Sequence, residues 1–316
     1  MKHYDTIIIG TGAAGLSAGV YAGRYTMKSL VIGKEFGGET AKAGKIENYP
    51  GFTEIDGYEL MERMKSHAEA VGAEIADGEV KKITPDGKCF IVSAGDDEYH
   101  THSVIVAIGS ERRRLGLPNE KELTGKGVHY CVTCDGPIYS GKTIALVGGG
   151  DASAKGAALA AEYVDKIYLL VRGKQMRAEP INQEKLKKLS DKIEILYETE
   201  VKEIIPDEKG MFSHVVLNKE VDGSRELRVD GLFIEIGAQP NTSLTDPLGV
   251  ETDGQGYIKT DNMMRTNVPG VFAAGDIADL FGHFKQDITS AAMGAVAATS
   301  AYDYYKENKE TCSHER

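Results

Sequence analysis

The chain has 316 residues, 41% of them hydrophobic, and a formal net charge of -11. That length holds two domains of ordinary size, with enough apolar material for real cores. The acidic balance argues against a nucleic-acid partner, which needs a basic face to meet phosphates. No apolar run is long enough to span a membrane, and "MKHYDTIIIG" lacks a signal-peptide stretch, so a cytoplasmic protein with no membrane partner is expected. In that reducing compartment a close cysteine pair is catalytic or metal-binding more often than a staple.

The first predicted element is the β-branched run "DTIIIG", followed by "GTGAAG" and the helical pattern "LSAGVYAGRY". This is strand, glycine turn, helix, the setting of a dinucleotide-binding loop. In Gly10-Thr11-Gly12-Ala13-Ala14-Gly15, the first glycine permits the turn and the second lets backbone approach a pyrophosphate. The third lets helix and strand pack closely, and the helix N-terminus faces the diphosphate. A ribose-binding acid is expected about 20 residues further on. There the strand "SLVIG" ends in Gly33, and Glu35, two residues displaced, reads equally as a solvated loop carboxylate. Cys89 lies in the strand pattern "KCFIVS" and reads as a small buried hydrophobe. The apolar strand "SVIVAIGS" then ends at Gly109.

Next comes "GVHYCVTCDGPIY", with Cys131, Cys134 and Asp135. A redox pair needs one readily ionised thiol and one that resolves the mixed disulfide. Asp135 suits proton transfer at the leaving thiolate, or equally a turn before Gly136-Pro137. A zinc site is the alternative, with His129, Cys131 and Cys134 as three ligands, but no second CxxC or paired histidine completes it. Haem attachment fails because Asp135 stands where CxxCH needs histidine.

"KTIALVGGGDASAKGAALAAEY" repeats the strand-turn-helix plan. Its loop is Gly148-Gly149-Gly150-Asp151-Ala152-Ser153, with small Ser153 in place of the third glycine. The following strand, "DKIYLLV", ends at Val171 with no acid, and Arg172 and Arg177 come after it. Arginines there suit a 2′-phosphate and favour NADPH over NADH, unless they are merely surface loop residues. "GLFIEIGAQPN" closes the repeat with Gly237. Roughly 70 residues remain, including "GVFAAGD" and the small-residue helix "ITSAAMGAVAATSAYDYY"; that is small for a domain, so they belong back on the first one. The tail "KENKETCSHER" is expected to fray, with Cys312 incidental.

The expected fold is therefore α/β: two Rossmann-like three-layer nucleotide-binding domains, the second inserted into the first. Residues 1–113 and 246–316 are expected to form the first domain, and 114–245 the second, which carries the CxxC. Two dinucleotide sites imply a bound flavin and a transient nicotinamide, with the cysteines as an outlet for the electrons.

The chain closely resembles the low-molecular-weight thioredoxin reductases over nearly its whole length. The motifs are GTGAAG at 10, "GGETAKAGKIENYPGF" at 37–52, "YCVTCDG" at 130–136, GGGDAS at 148, "IGAQPNT" at 236–242, "VPGVFAAGD" at 268–276 and "KQDITSAAMG" at 285–294. The resemblance implies FAD on Gly10, Gly12, Ala13, Gly15, the segment 37–48 with Gly38, Glu39 and Asn48, then Gly109, Asp276, Lys285 and Gln286. It implies NADPH on Gly148, Gly150, Asp151, Ser153, Arg172, Arg177 and Gly237. Cys134 would face the flavin, Cys131 would attack the partner's disulfide, and Asp135 would be the acid–base. Thioredoxin or a thioredoxin-like protein would be the partner, the chain a homodimer, and the insertion domain a swivelling one; no metal is implied.

The sequence departs from the family at several places. Glu39 stands for the usual Gln, Lys285 for Arg, and Lys155-Gly156 for two glutamates. Of the His-Arg-Arg-x-x-x-Arg of NADPH-specific members, only Arg172 and Arg177 survive in the stretch from Val171. This keeps NADH or another donor open. A flavin-dependent dithiol oxidase is the alternative enzyme, and a zinc-held nucleotide-binding sensor the non-enzyme alternative.

Overall fold

The computed structural model describes every residue except 283, 311 and 313–316. Two compact units are present: Met1–Glu111 with Gln239–Arg316, and Arg112–Ala238. Both are α/β folds on parallel sheets. The return to the first unit comes earlier in the chain than the sequence indicates. The reason is packing: Leu244, ahead of residue 246, lies against the first unit's core.

In the first unit the strand Lys2–Ile9 is central, with parallel partners Ser29–Gly33 and Asp97–Val106 on its two sides. Ile7 and Ile8 are fully buried. The run is continuous rather than alternating because both sheet faces are covered. Asp97–Val106 has two further partners. Its first half pairs antiparallel with Cys89–Ala94, and its last residues pair parallel with Val271–Ala273. The last strand thus rejoins the sheet after the excursion through the second unit.

The helices Ala13–Arg24 and Asp287–Asn308 pack on one another. Their approach is close enough that a Cβ on Gly294 would collide with the backbone of Ala14. This is why the last helix, expected from its small residues, carries Ser290, Ala291, Gly294, Ala297, Ala298 and Ala301 on its buried side. Sheet order reverses about Lys2–Ile9, so the loop after Ile9 leaves at a topological switch point, where open α/β sheets bind ligands.

The second unit orders its parallel strands Val128–His129, Gly231–Ile234, Thr143–Val147, Lys166–Val171, Ile193–Tyr197. Helix Asp151–Ala160 connects two of them, and an antiparallel trio, Val201–Pro206, Phe212–Val221 and Ser224–Arg228, completes the unit. Gly156, one of the departures from the family pattern, sits where a Cβ would be 3.1 Å from Val132 Cγ2. The missing side chain lets this helix lie close to the one that carries the cysteines.

Two readings of single cysteines are corrected. Cys89 is buried, as expected of a small hydrophobe, but it is also disulfide-bonded to Cys312. Cys312 is therefore not incidental. Residues 311 and 313–316 of the tail, expected to fray, lie outside the described residues. No helix among the described residues is long and apolar enough to cross a membrane.

Candidate active site

The first glycine loop is built by backbone contact. Gly10 has φ 119°, and a Cβ there would run into the carbonyl of Ala107; a Cβ on Gly15 would run into the carbonyl of Gly10. Gly12 differs. Its added Cβ would meet only Gly37 O, at 3.8 Å, and one on Gly38 would lie 3.9 Å from Gly12 Cα. Gly12 and Gly38 thus border an open space at the start of the helix Ala13–Arg24. That helix has no side-chain cap and no acid in its first turn. Its N–H groups and the positive end of its dipole suit a diphosphate.

Distant segments converge on the same place. Asn48 Nδ2 donates to Gln286 Oε1 at 2.8 Å, and Thr40 Oγ1 donates to Asp287 Oδ1 at 2.5 Å. Gln286 caps the helix Asp287–Asn308 through a capping box with Thr289. Asp276 accepts from Ser290 Oγ at 3.2 Å. Burial holds the Asp276 carboxyl above the usual carboxylate range, with Asp287 and Glu39 adding to the effect. Lys285 is held below the usual lysine range by burial; it donates to the carbonyl of Ala278 and lies 4.2 Å over the Tyr257 ring. A long polar ligand with a diphosphate at Gly12 suits this neighbourhood, which holds Gly10, Gly12, Ala13, Gly15 and Gly38 at the turn and Glu39, Asn48, Asp276, Lys285 and Gln286 as polar side chains. Gly109, with φ 68°, has no atom near the position of an added Cβ. Glu35 is tied to the cradle's rim: its carboxylate pairs with Lys42 at 2.7 Å, and its carbonyl accepts from Thr11 Oγ1.

The second loop shares the first loop's opening contact and adds side-chain bonds at its third position. A Cβ on Gly148 would collide with the carbonyl of Glu235. Ser153, fully buried where a third glycine was absent, donates from Oγ to Gly150 O at 2.8 Å. Asp151 accepts from the Glu179 N–H at 2.8 Å and from Asn182 Nδ2 at 2.6 Å, which holds the following loop. The Arg177 N–H donates to Gly149 O at 2.6 Å, so this residue is fixed beside the glycine turn with its side chain exposed. Arg172 is exposed too, near Glu200, whose carboxyl is held below its usual range chiefly by Lys202 and also by Arg172. Gly150 faces open space, and Gly237, at φ 92°, accepts at its carbonyl from the Arg113 N–H.

Cys131 and Cys134 are joined as a disulfide. Cys131 is the N-cap of the helix Val132–Asp135, and its sulfur accepts the Cys134 N–H at 3.1 Å. Cys134 is exposed and Cys131 half-buried. Asp135 Oδ2 lies 3.1 Å from His129 Nδ1, and His129 Nε2 is 2.8 Å from the Tyr139 hydroxyl. His129 is buried and stacked on Phe233, with ring centroids 5.1 Å apart. Tyr139 is pushed up to about 12, first by burial and then by Asp135. Both imidazole nitrogens are thus engaged, so the histidine that the zinc alternative needs is already committed.

His129 and Tyr139 are the site residues that sequence reasoning missed in this role. The signal was present: His129 is the last residue before the cysteine turn on a buried strand, beside an acid that needs a partner.

The profile of the pyridine nucleotide-disulphide oxidoreductase family matches residues 4–300. The thioredoxin reductase of Listeria innocua is 40% identical over 317 aligned positions, covering 99% of this chain and 98% of its own. That of Bacillus subtilis is 40% identical over 313, covering 98% and 97%. The solved thioredoxin reductase of Lactococcus lactis superposes with a TM-score of 0.90 at 36% identity, covering 96% of this chain and 99% of that one. With its two parallel-sheet units, glycine loops and CxxC disulfide, the chain belongs to the pyridine nucleotide-disulphide oxidoreductase family, among the low-molecular-weight thioredoxin reductases.

Proposed function

We propose that this protein reduces the disulfide of thioredoxin or of a similar small protein, with FAD held in the first unit and NADPH in the second. Gly10, Gly12, Ala13, Gly15, Gly38, Glu39, Asn48, Asp276, Lys285 and Gln286 would hold FAD. Gly148, Gly150, Asp151, Ser153, Arg172 and Arg177 would hold the nicotinamide nucleotide. When bound, the flavin supplies the route by which an electron pair passes from the nicotinamide to the Cys131–Cys134 disulfide.

Reduction of that disulfide takes two electrons and two protons and leaves two thiols. Cys131 then acts as the nucleophile. Its sulfur already accepts an N–H at a helix start, an arrangement that favours the thiolate. The thiolate forms a mixed disulfide with the partner and expels one partner thiolate. Cys134 attacks Cys131, which re-forms the internal disulfide and frees the partner as a dithiol. Asp135, backed by His129 and Tyr139, takes the Cys134 proton and passes it to the departing sulfur.

The observation that carries the reading is the capped Cys131 sulfur beside this Asp-His-Tyr chain. Mixing pure protein, NADPH and oxidised thioredoxin and following nicotinamide absorbance tests it. Oxidation that requires both enzyme and thioredoxin is expected. No oxidation with either nicotinamide would sink the donor assignment. Only Arg172 and Arg177 remain of the 2′-phosphate clamp and both are exposed, which supports parallel use of NADH with a preference for NADPH of only about 10-fold. The proposal includes a homodimer, which sedimentation checks.

A further inference from the structure

The second cysteine pair lies far from the glycine loops. Cys89 opens the strand Cys89–Ala94, and Cys312 follows the last helix. His100, on the adjoining strand Asp97–Val106, joins them, and one donor atom from each of the three lies within 4.8 Å of the others. All three residues are buried, at 1%, 7% and 3% exposure. Asp86 brings a carboxylate oxygen to 3.3 Å from His100 Nε2. The His3 ring packs on His100, with centroids 5.2 Å apart. A cavity of about 150 Å³ adjoins the group, lined by His3, Asp5, His100, His102 and Cys312 among others. It sits at the start of the strand Lys2–Ile9, whose opposite end delivers Gly10.

A disulfide that only pins the tail needs two sulfurs and an apolar setting. This one has the His100 imidazole beside it, with the Asp86 carboxylate against that ring. Two cysteines, a histidine and an oxygen donor are the ligand set of a tetrahedral zinc site. A carboxylate beside a liganding imidazole also orients the ring. We propose that Cys89, Cys312 and His100 form a second site that binds a zinc-class divalent cation when the cysteines are thiols, with water in the fourth position and Asp86 holding the His100 ring.

The disulfide and the ion exclude one another. An external dithiol opens the disulfide by exchange: it gives two electrons and two protons, becomes a disulfide itself, and leaves Cys89 and Cys312 as thiols. The cation then displaces both thiol protons and takes the two thiolates. Either closure ties the C-terminal segment to the strand Cys89–Ala94. This site is independent of the reductase reading and of Cys131 and Cys134.

The test uses full-length, flavin-loaded protein, reduced anaerobically with a dithiol, freed of reductant and chelator-stripped. It is titrated with Zn²⁺ against a chromophoric competitor. To remove the other pair of thiols from the titration, the background chain carries Cys131→Ser and Cys134→Ser. That background is expected to take one Zn²⁺ per chain, and Co²⁺ in its place to show thiolate charge-transfer absorption. Adding Cys89→Ser should abolish binding. Cys312→Ser, beyond the last helix, should do the same without threatening the fold. Asp86→Ala should weaken binding by about 10–100-fold. Three results would overturn the proposal: background chains with two titratable thiols that take no zinc, zinc binding unchanged by Cys89→Ser and Cys312→Ser, or a Cys89–Cys312 disulfide that excess dithiol cannot open.

Discussion

The two glycine loops open alike, with Gly10 on the Ala107 carbonyl and Gly148 on that of Glu235, and part at the third position. In the first, that contact is backbone on backbone, Gly15 on Gly10. The helix N-terminus stays bare and is ringed by polar groups from residues 37–48 and 276–290. In the second, Ser153 bonds the loop's own carbonyl, Asp151 is occupied with Glu179 and Asn182, and the remaining cations, Arg172 and Arg177, are exposed. A cradle assembled from several segments suits a group that stays. A rigid turn with exposed charges suits one that comes and goes. The difference lies in what surrounds each turn: bonds between distant segments, Asn48–Gln286 and Thr40–Asp287, at the first, and bonds from Ser153 and Asp151 at the second.

Matched substitutions test that contrast. Gly15→Ala drives a methyl into a carbonyl and is expected to cost about 3 kcal/mol or more, seen as loss of soluble yellow protein. Ser153→Ala, at the equivalent place, removes one hydrogen bond and should cost about 1 kcal/mol in chemical denaturation. Equal costs would mean the two turns are built alike.

Gly12→Val and Gly150→Val both enter open space, so apoprotein Tm should move by no more than about 2 °C in either. Their ligand effects should separate. Gly12→Val should purify colourless, whereas Gly150→Val should stay yellow while its nicotinamide KM rises about 10-fold or more. Smaller again is the effect of removing Arg172 and Arg177 together: KM for NADPH should rise about 10-fold and KM for NADH should hold.

The least effect concerns Asp276. Its folded carboxyl is raised by burial, so the folded state holds a proton that the unfolded state releases first. Apoprotein stability therefore falls as pH rises through the ordinary aspartate range, about 3.9, and the loss is complete above the folded value. Asp276→Asn should flatten that slope and raise the apoprotein Tm at neutral pH by about 1–3 °C. An unchanged slope would remove Asp276 from the account.

The local motifs were legible because their chemistry is local. A glycine turn between strand and helix, or two cysteines three apart, declares itself within a dozen residues. What joins residues across the chain was not legible. Nothing in the spacing links Cys89 to Cys312, 223 residues apart. The Asn48–Gln286 and Thr40–Asp287 bonds are equally silent in sequence. Asp151 carries a further role that its place at a helix start does not declare: its carboxylate accepts from Glu179 and Asn182, 28 and 31 residues on. His129 was weighed only as a metal ligand; burial and the Tyr139 contact reveal it as the partner of Asp135.

Trapping the exchange step tests the central claim most directly. In Cys134→Ser, Cys131 keeps its place at the helix start but has no resolving thiol. Prereduced variant mixed with oxidised thioredoxin should accumulate a one-to-one covalent adduct through Cys131, with steady turnover below about a thousandth of wild type. A Cys134→Ser protein that forms no adduct and reduces thioredoxin at the wild-type rate would contradict the account.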